Sequence, residues 1–275
     1  MKLSIITINR NNAEGLRKTM ESVLSQTCRD FEYIIVDGAS TDESVDTIKS
    51  MVPEQNMNVN GVSVHWISEP DTGIYNAMNK GVKMSMGDYS LMLNSGDYLV
   101  NDNVVATILP ELIEIDIIQG NVVIDKNGKS LICRGYGNSN ISFLEVHGGQ
   151  FLHQASFCKR DLFDRFGYFD ESYKYVSDTI FFIKTLGYGG ATFRYVDVNV
   201  AYFDMTGFSY SKDPKVISQH RLEEHSMQQT LFPGRLNDFC KESRHKIALY
   251  DILHRHRLLW KMTMLLKIIA ERLER

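Results

Sequence analysis

Apolar runs and segments of helical spacing alternate through the first hundred or so residues of the chain. A β-branched apolar run at residues 3–8 ends in a polar turn, after which apolar side chains recur every three or four positions as far as Leu24. A second apolar run at 31–36 ends in a turn and precedes a segment of helical character at 42–51. Two strand–loop–helix units in succession predict a parallel sheet with right-handed crossovers, whose ligands bind at the carboxyl ends of the strands.

The alternation continues to about residue 100 and then gives way to mixed structure. Strands are predicted at 62–68 and 89–93, with a helix between them at 73–83. Apolar runs at 115–123 and 130–134 flank Asn127-Gly128, which is a strong signal for a hairpin turn. A helix at 178–186 and a last strand or pair of strands at 192–203 follow. The pattern predicts an α/β protein with a Rossmann-like, mainly parallel sheet flanked by helices.

Composition and charge narrow the classes of function. With 43% hydrophobic and 23% charged residues, the chain is ordinary globular rather than disordered or fibrous. The net charge of -4 argues against a dedicated nucleic-acid binder, because phosphate contacts demand a basic face. The four cysteines are too widely spaced for a zinc-ligand cluster and predict reduced thiols. No apolar stretch reaches the roughly 18 residues of a membrane-spanning helix, so we expect a cytoplasmic protein.

The last 35 residues of the chain, 241–275, form a basic tail. The tail carries nine Lys or Arg, three His and four acidic side chains, interleaved with aliphatic residues and Trp260 at helical periods. One hypothesis is that this segment lies on the anionic inner face of the plasma membrane, where lipid-linked acceptors are presented. The alternative is that its apolar face packs on the rest of the chain or on a second copy in a homo-oligomer.

Three aspartates are candidates for chemistry, two at strand ends and one at the start of a helix. Asp37 follows a buried strand and could accept the N3–H of uracil or a ribose hydroxyl, or could cap a turn. Asp97 follows an apolar strand and a Ser-Gly turn. A carboxylate at this position could bind a hard cation such as Mg²⁺ or Mn²⁺, or could simply stabilise the turn. Asp178 opens a helix, where a carboxylate stabilises the helix dipole or acts on a ligand.

These residues lie in motifs that follow one another along most of the chain. The motifs are TINRNN, VDGASTDES, SEPDTGIYNAMNKGV, LNSGDYL, FLHQASFCKRDLFDRFGYFDESYKYVSDTIFF and AYFDMTGFS. Together they resemble the family 2 inverting glycosyltransferases, which have a GT-A fold, from about Leu3 to Ser209. The resemblance implies a GT-A catalytic domain at 1–210, with a nucleotide-binding half at about 1–100 and an acceptor half at about 101–210. A helical, basic and amphipathic extension would occupy 211–275.

The resemblance implies binding roles in the first half of this domain. Nucleotide contacts would come from Thr7, Asn9, Arg10 and Asp37, of which Asp37 would read the base. The diphosphate or donor sugar would lie near Asp71, Tyr75, Asn76, Asn79 and Lys80.

The resemblance also implies the metal ligands and the catalytic group. Asp97 would be the last carboxylate of the family's DxD metal motif, with Ser95 in place of the first. Asp204 falls where many members place a metal-binding His. Asp178 falls where the family places its general base, with Ser177 in place of the usual acidic neighbour. His153 and Gln154 would lie near the acceptor or donor.

The implied reaction moves a sugar from a nucleoside diphosphate sugar to an acceptor hydroxyl with inversion. A UDP-sugar is the favoured donor, Mn²⁺ or Mg²⁺ the cofactor, and a saccharide or lipid-linked acceptor in cell-surface polysaccharide or glycolipid biosynthesis the second substrate. A nucleotidyltransferase is one alternative, although it would normally carry a Gly-rich, basic phosphate loop after the first strand, which NRNNAEG lacks. A non-catalytic nucleotide- or carbohydrate-binding module is the other, suggested by Ser95 and Ser177 in place of acidic residues.

Overall fold

The computed structural model describes residues 1–126, 129–135, 151–205, 207 and 213–231 of the chain. Their strands are β1 (Leu3–Asn9), β2 (Phe31–Asp37), β3 (Asn56–Val59), β4 (Val62–Ser68), β5 (Tyr89–Met92), β6 (Tyr98–Leu99), β7 (Ile117–Lys126), β8 (Lys129–Cys133), β9 (Ser156–Lys159) and β10 (Phe193–Phe203). Their α-helices are α1 (Ala13–Leu24), α2 (Ser44–Met51), α3 (Ile74–Met84), α4 (Val104–Ile108), α5 (Asp161–Phe166), α6 (Ser177–Phe182) and α7 (Pro214–Leu231). A 3-10 turn at His153–Ala155 and a π-helical segment at Ile183–Tyr188 complete the part that concerns the site.

The described strands join one mixed sheet in the order β3-β4-β2-β1-β5-β9-β7-β10-β6, with β8 paired to β7. The neighbours β4, β2, β1 and β5 run parallel, as do β7 and β10. β9 runs antiparallel to both β5 and β7, so it joins the two halves of the sheet. The predicted α/β fold with a mainly parallel, helix-flanked sheet is confirmed, and α7 is the described part of the C-terminal helical region.

Helices cover both faces of the parallel strands. On one face, Leu3 and Ile5 of β1 pack in a core with Leu16 and Met20 of α1. On the other face, Ile6 of β1 packs in a second core with residues of α3. Because β1 is buried on both faces, it reads in the sequence as a continuous apolar run rather than an alternating one.

Hydrogen bonds from short polar side chains account for two differences between the predicted and observed helices. The helix predicted from residue 42 begins at Ser44, because the Asp42 carboxylate accepts the backbone N–H groups of Ser44 and Ala13 in the preceding turn. The helix predicted at 178–186 ends at Phe182 and continues as the π-helical segment. There the Thr185 hydroxyl donates to the carbonyls of Phe181 and Phe182, which competes with the regular helical ladder.

Four parallel strands end at one edge of the sheet, and the polar segments that follow them define the place for a site. Asn9, Asp37 and Ser68 end β1, β2 and β4, and the turn that leads to Asp97 follows β5. In the described part of the chain, no helix combines the length and apolarity needed to cross a bilayer. The basic tail at 241–275 lies outside the described residues.

Candidate active site

Asp37 lies at the centre of a saturated hydrogen-bond network at the end of β2. Its carboxylate is fully buried, and its Oδ1 accepts from Asn9 Nδ2 at 2.8 Å and Ser40 Oγ at 2.5 Å. Its Oδ2 accepts from the Ser40 backbone N–H at 2.9 Å and from Ser68 Oγ at 2.7 Å. These donors come from the ends of β1 and β4 and from the loop after β2. The carboxylate therefore ties the ends of these strands and the loop after β2 together at this edge of the sheet.

Arg10 and Asp71 meet over Gly38, next to this network. Arg10 Nη1 lies 3.2 Å from Asp71 Oδ1, and the Arg10 side chain is 61% exposed while that of Asp71 is 5% exposed. A Cβ on Gly38 would lie 2.1 Å from Asp71 Oδ2, so glycine is needed for Asp71 to reach this position. Asp71 is thus placed beside Asp37 with an exposed cation above it, which suits a site for an anionic nucleotide.

The structure does not bring every predicted donor-binding residue to this edge. The Thr7 hydroxyl is buried and is used within the sheet, where it donates to the Leu93 carbonyl and accepts from Tyr33 Oη. The Asn79 amide is also buried: its Nδ2 donates to the Phe169 carbonyl and to Glu171 Oε1, and its Oδ1 accepts the Phe169 N–H. Lys80 Nζ bonds the Pro70 carbonyl and Glu69 Oε1. These contacts are structural.

Asp97 is a buried carboxylate in an unfavourable environment for charge. It is 4% exposed, and burial raises its pKa to about 7. The backbone N–H of Asp204 donates to Asp97 Oδ1 at 2.9 Å, and the negative charge of the Asp204 carboxylate opposes ionisation of Asp97 further. Gly96 has a φ of 104°, and a Cβ there would lie 2.7 Å from Asp204 Oδ2. The glycine therefore allows two carboxylates to approach each other.

These groups fit a divalent cation that shares its coordination with a ligand. A cation would offset the repulsion between Asp97 and Asp204 and the cost of burying Asp97. The described residues contain no group of three or more His, Cys, Asp and Glu side chains able to hold a metal ion by themselves. Mg²⁺ and Mn²⁺ at nucleotide sites need only one or two protein carboxylates when phosphate oxygens complete the coordination. Ser95 does not add a carboxylate, and its Oγ lies 3.4 Å from Asn12 Nδ2.

Asp178 is held by donors on both of its oxygens. Oδ1 accepts from Tyr75 Oη at 2.9 Å and from the Thr179 N–H at 2.9 Å, and Oδ2 lies 3.2 Å from His153 Nδ1. Burial alone would raise the pKa of Asp178, but the hydrogen bond and charge of His153 outweigh it and lower that pKa. Burial likewise opposes protonation of His153, yet the adjacent Asp178 raises the pKa of His153 overall. Each group therefore favours the charged form of the other.

Two consecutive residues connect Asp97 to Asp178. His153 bonds Asp178, and the negative charge of Asp97 also raises the pKa of His153. The Gln154 side chain lowers the pKa of Asp97. The two aspartates, which are separated by some eighty positions in sequence, therefore belong to one electrostatically coupled group. The 3-10 turn at His153–Ala155 presents both side chains, at the point where β9 begins.

Asn94 is a member of the site that sequence reasoning missed. Its Nδ2 lies 3.3 Å from His153 Nε2, on the side of the ring opposite to Asp178. Buried oxygens of Asn9, Asn94 and Ser177 have no hydrogen-bond partner among the described residues. Buried polar atoms without partners are costly, so these three oxygens are suited to a polar ligand. The signal available in the sequence was the polar turn Asn94–Asp97 itself, in which only Ser95 and Asp97 were assigned roles.

Comparison with solved structures defines the class of protein that carries this fold. The chain is similar to Staphylococcus aureus TarS 1-349 in complex with UDP-GlcNAc, with a TM-score of 0.61 and 19% identity over 84% of this chain and 71% of that one. It is also similar to the mannosyltransferase PcManGT from Pyrobaculum calidifontis in complex with GDP-Man and Mn²⁺, with a TM-score of 0.58 and 13% identity over 96% and 83% of the two chains. At these identities the likeness is one of fold, and the fold is that of a GT-A glycosyltransferase.

Sequence comparison identifies the family. Residues 4–168 match glycosyl transferase family 2. The PGL/p-HBAD biosynthesis glycosyltransferase of Mycobacterium bovis is 31% identical over 207 residues, which are 74% of this chain and 77% of the relative. The chain belongs to glycosyltransferase family 2, as its motifs predicted.

Proposed function

We propose that this glycosyltransferase moves a sugar from a UDP-sugar to an acceptor hydroxyl in one inverting displacement. The observation that carries the proposal is that His153 contacts Asp178 at 3.2 Å and interacts electrostatically with Asp97, which joins a candidate metal ligand to a candidate base. The UDP-GlcNAc complex of the similar TarS fold supports the choice of donor class. The resemblance to family 2 enzymes supports an acceptor in cell-surface polysaccharide or glycolipid biosynthesis.

Asp178 is proposed to be the general base. Its lowered pKa keeps it ionised, so that a carboxylate oxygen can accept the proton of the acceptor hydroxyl as that oxygen attacks the anomeric carbon. Tyr75 and the Thr179 N–H hold Oδ1 in place, while His153 holds Oδ2. An in-line attack opposite the leaving nucleoside diphosphate inverts the anomeric centre and needs no covalent intermediate.

Asp97 and Asp204 are proposed to hold Mn²⁺ or Mg²⁺ with the donor diphosphate. When bound, the cation would stabilise the negative charge that develops on the diphosphate as the glycosidic bond breaks. The Mn²⁺ in the similar PcManGT fold supports this assignment. Asn9, Arg10, Asp37 and Asp71 are proposed to line the nucleotide side of the same edge.

The test has two parts, of which binding comes first. A thermal-shift screen of UDP, GDP and ADP with and without Mn²⁺ should raise the unfolding temperature most for UDP with Mn²⁺, because a ligand stabilises the folded state by mass action. Preference for GDP would overturn the donor class while leaving the family unchanged. Diphosphate release from a UDP-sugar panel then distinguishes transfer chemistry from a pure binding module.

The second part tests the base. Asp178→Asn should retain UDP binding and lower turnover by about 10²-fold or more, the usual contribution of a positioned base. Asp164→Asn, which changes an exposed carboxylate on α5, is the matched control. Full activity in Asp178→Asn would eliminate the assignment.

The boundaries at 210 and 211, the cytoplasmic location and membrane contact through 241–275 are part of the same proposal. Flotation of the full chain with anionic vesicles, against a chain ending near Asp238, tests the membrane contact. Equal partitioning of the two chains would reject it.

A further inference from the structure

A single loop carries the chain from α5 to Asp178, and α7 holds that loop through one side chain. The loop runs from Gly167 to Val176, between α5 and α6. Glu223 of α7 accepts the Lys174 N–H with Oε1 at 3.1 Å and Oε2 at 2.9 Å. Its Oε2 also accepts the Tyr175 N–H at 2.8 Å. Two consecutive backbone donors, three and four residues before Asp178, therefore converge on one carboxylate.

We propose that Glu223 is a positioning residue for the base, and that the catalytic unit consequently extends through α7. The inference rests on the proposed role of Asp178. Hydrogen bonds from N–H groups to a carboxylate are shorter and stronger than neutral ones, so this contact can fix a short loop. Because a misplacement of about 1 Å can cost about 10²-fold in rate, the position of this loop bears directly on catalysis.

The first part of the loop is fixed by α3, so that α3 and Glu223 together form a clamp on the two ends of the loop. Glu171 Oε2 accepts from Asn76 Nδ2 at 2.8 Å, and Glu171 Oε1 accepts from Asn79 Nδ2 at 2.9 Å. Asn79 additionally bonds both backbone groups of Phe169. The α3 contacts thus hold the start of the loop at Phe169 and Glu171, whereas Glu223 holds its end at Lys174 and Tyr175. Without Glu223, the backbone N–H groups of Lys174 and Tyr175 would lose this acceptor.

The helix α7 buries few apolar side chains, so polar contacts such as those of Glu223 matter more for its position than they would on a well-packed helix. Met227 is the one buried residue that α7 contributes among the described residues, while Leu222 is 66% exposed. His220 stacks on Tyr175 with ring centroids 5.2 Å apart, one turn before Glu223. Tyr188 Oη donates to the Leu231 carbonyl at the end of the helix. Polar contacts with the loop and the π-helical segment therefore supply much of what orients α7.

The decisive variants are Glu223→Ala, Glu223→Gln and Glu224→Ala in the full chain. Glu223→Ala removes the acceptor of both N–H groups. Glu223→Gln keeps one oxygen, which is sufficient because Oε2 alone accepts from both residues. Glu224→Ala is the matched control, since Glu224 is exposed on the same helix and pairs only weakly with His220, at 3.7 Å.

Hydrogen–deuterium exchange tests the clamp without any substrate. In Glu223→Ala, the amides of Lys174 and Tyr175 should exchange about tenfold faster or more, because a lost bond of about 1.4 kcal/mol corresponds to that factor. Glu223→Gln should restore most of the protection, and Glu224→Ala should match the wild type. Unchanged exchange in Glu223→Ala would overturn the proposal.

Turnover then separates positioning from mere structural support. With UDP-GlcNAc and Mn²⁺, the rate of UDP release should fall about tenfold in Glu223→Ala with an unchanged KM for the donor, and Glu223→Gln should recover most of it. Faster exchange with an unchanged rate would also overturn the positioning role. If the wild type released no UDP from any UDP-sugar while exchange responded as expected, the proposed function would be at fault rather than the clamp.

Discussion

Asp37 and Asp97 are both buried aspartates at the same edge of the sheet, yet their surroundings are opposite in kind. Asp37 receives four hydrogen bonds from side chains and backbone of neighbouring loops. Asp97 receives one backbone hydrogen bond, from the Asp204 N–H, is repelled by the Asp204 carboxylate, and has its pKa raised by burial to about 7. A saturated carboxylate organises the resting fold, whereas an under-compensated one stores free energy that a bound cation can recover.

The comparison predicts that replacing aspartate by asparagine changes the free energy of unfolding in opposite directions at the two positions. The larger change is expected at Asp37. Asp37→Asn replaces one oxygen that accepts two hydrogen bonds with an NH₂ group that opposes them. We expect the free energy of unfolding to fall by about 2–3 kcal/mol, the cost of buried donors without acceptors. Urea denaturation at pH 8 measures it, with the exposed Asp30→Asn as control. An unchanged free energy of unfolding would show that these hydrogen bonds do not stabilise this edge of the sheet.

The next prediction concerns competition between protons and metal at Asp97. Because its pKa is about 7 without metal, each pH unit below 7 should weaken apparent Mn²⁺ affinity by about tenfold, or about 1.4 kcal/mol. Affinity should level off above that pH. Calorimetric titration of Mn²⁺ with UDP present at pH 5.5, 6.5, 7.5 and 8.5 measures the trend. A flat profile would remove Asp97 from the ligand set.

The smaller stability effect belongs to Asp97→Asn, with the opposite sign to Asp37→Asn. Burial raises the folded pKa above the ordinary value of 3.8, so the favourable state is the protonated one and its contribution is lost as pH rises through about 7. Removing the charge should therefore stabilise the protein at pH 8 by about 1 kcal/mol, less what the new amide loses against Gln154. Urea titrations at pH 8 and pH 5 should show the gain shrinking at the lower value. Equal stabilisation at both pH values would show that removal of the buried charge is not its cause.

Sequence reasoning found the half of the site that strand ends define. The apolar runs before Asp37 and Asp97 belong to strands buried on both faces, so their ends could be located from local pattern alone. The direction of side chains could not be read in the same way: Thr7 and Asn79 match motifs, yet their polar atoms serve the sheet and the loop of Phe169. Motif spacing gives position along the chain but not which neighbour satisfies a buried donor.

The other half of the site, around His153 and Asp178, depends on contacts between distant segments of the chain. The sequence pattern does not predict these contacts. The strand β9 has four residues and no helical or alternating period long enough to predict, although it carries His153 and Gln154 to the site. The hydrogen bond from Tyr75 to Asp178 joins residues 103 positions apart. The anchoring of the Asp178 loop by Glu223 likewise depends on how α7 packs, which composition does not encode.

The smallest predicted effect tests how Asp178 differs from Asp97, since its donors lower a pKa that burial would raise. Tyr75→Phe removes one donor to Oδ1 and leaves the Thr179 N–H and His153 in place. The pKa of Asp178 should rise toward its ordinary value, so the acid limb of kcat, which needs the ionised carboxylate, should move to higher pH. The rate near pH 7.5 should change little. Tyr168→Phe, an exposed tyrosine beside α5, is the control. A downward shift, or an equal shift in both variants, would mean that Tyr75 does not hold the base in its ionised form.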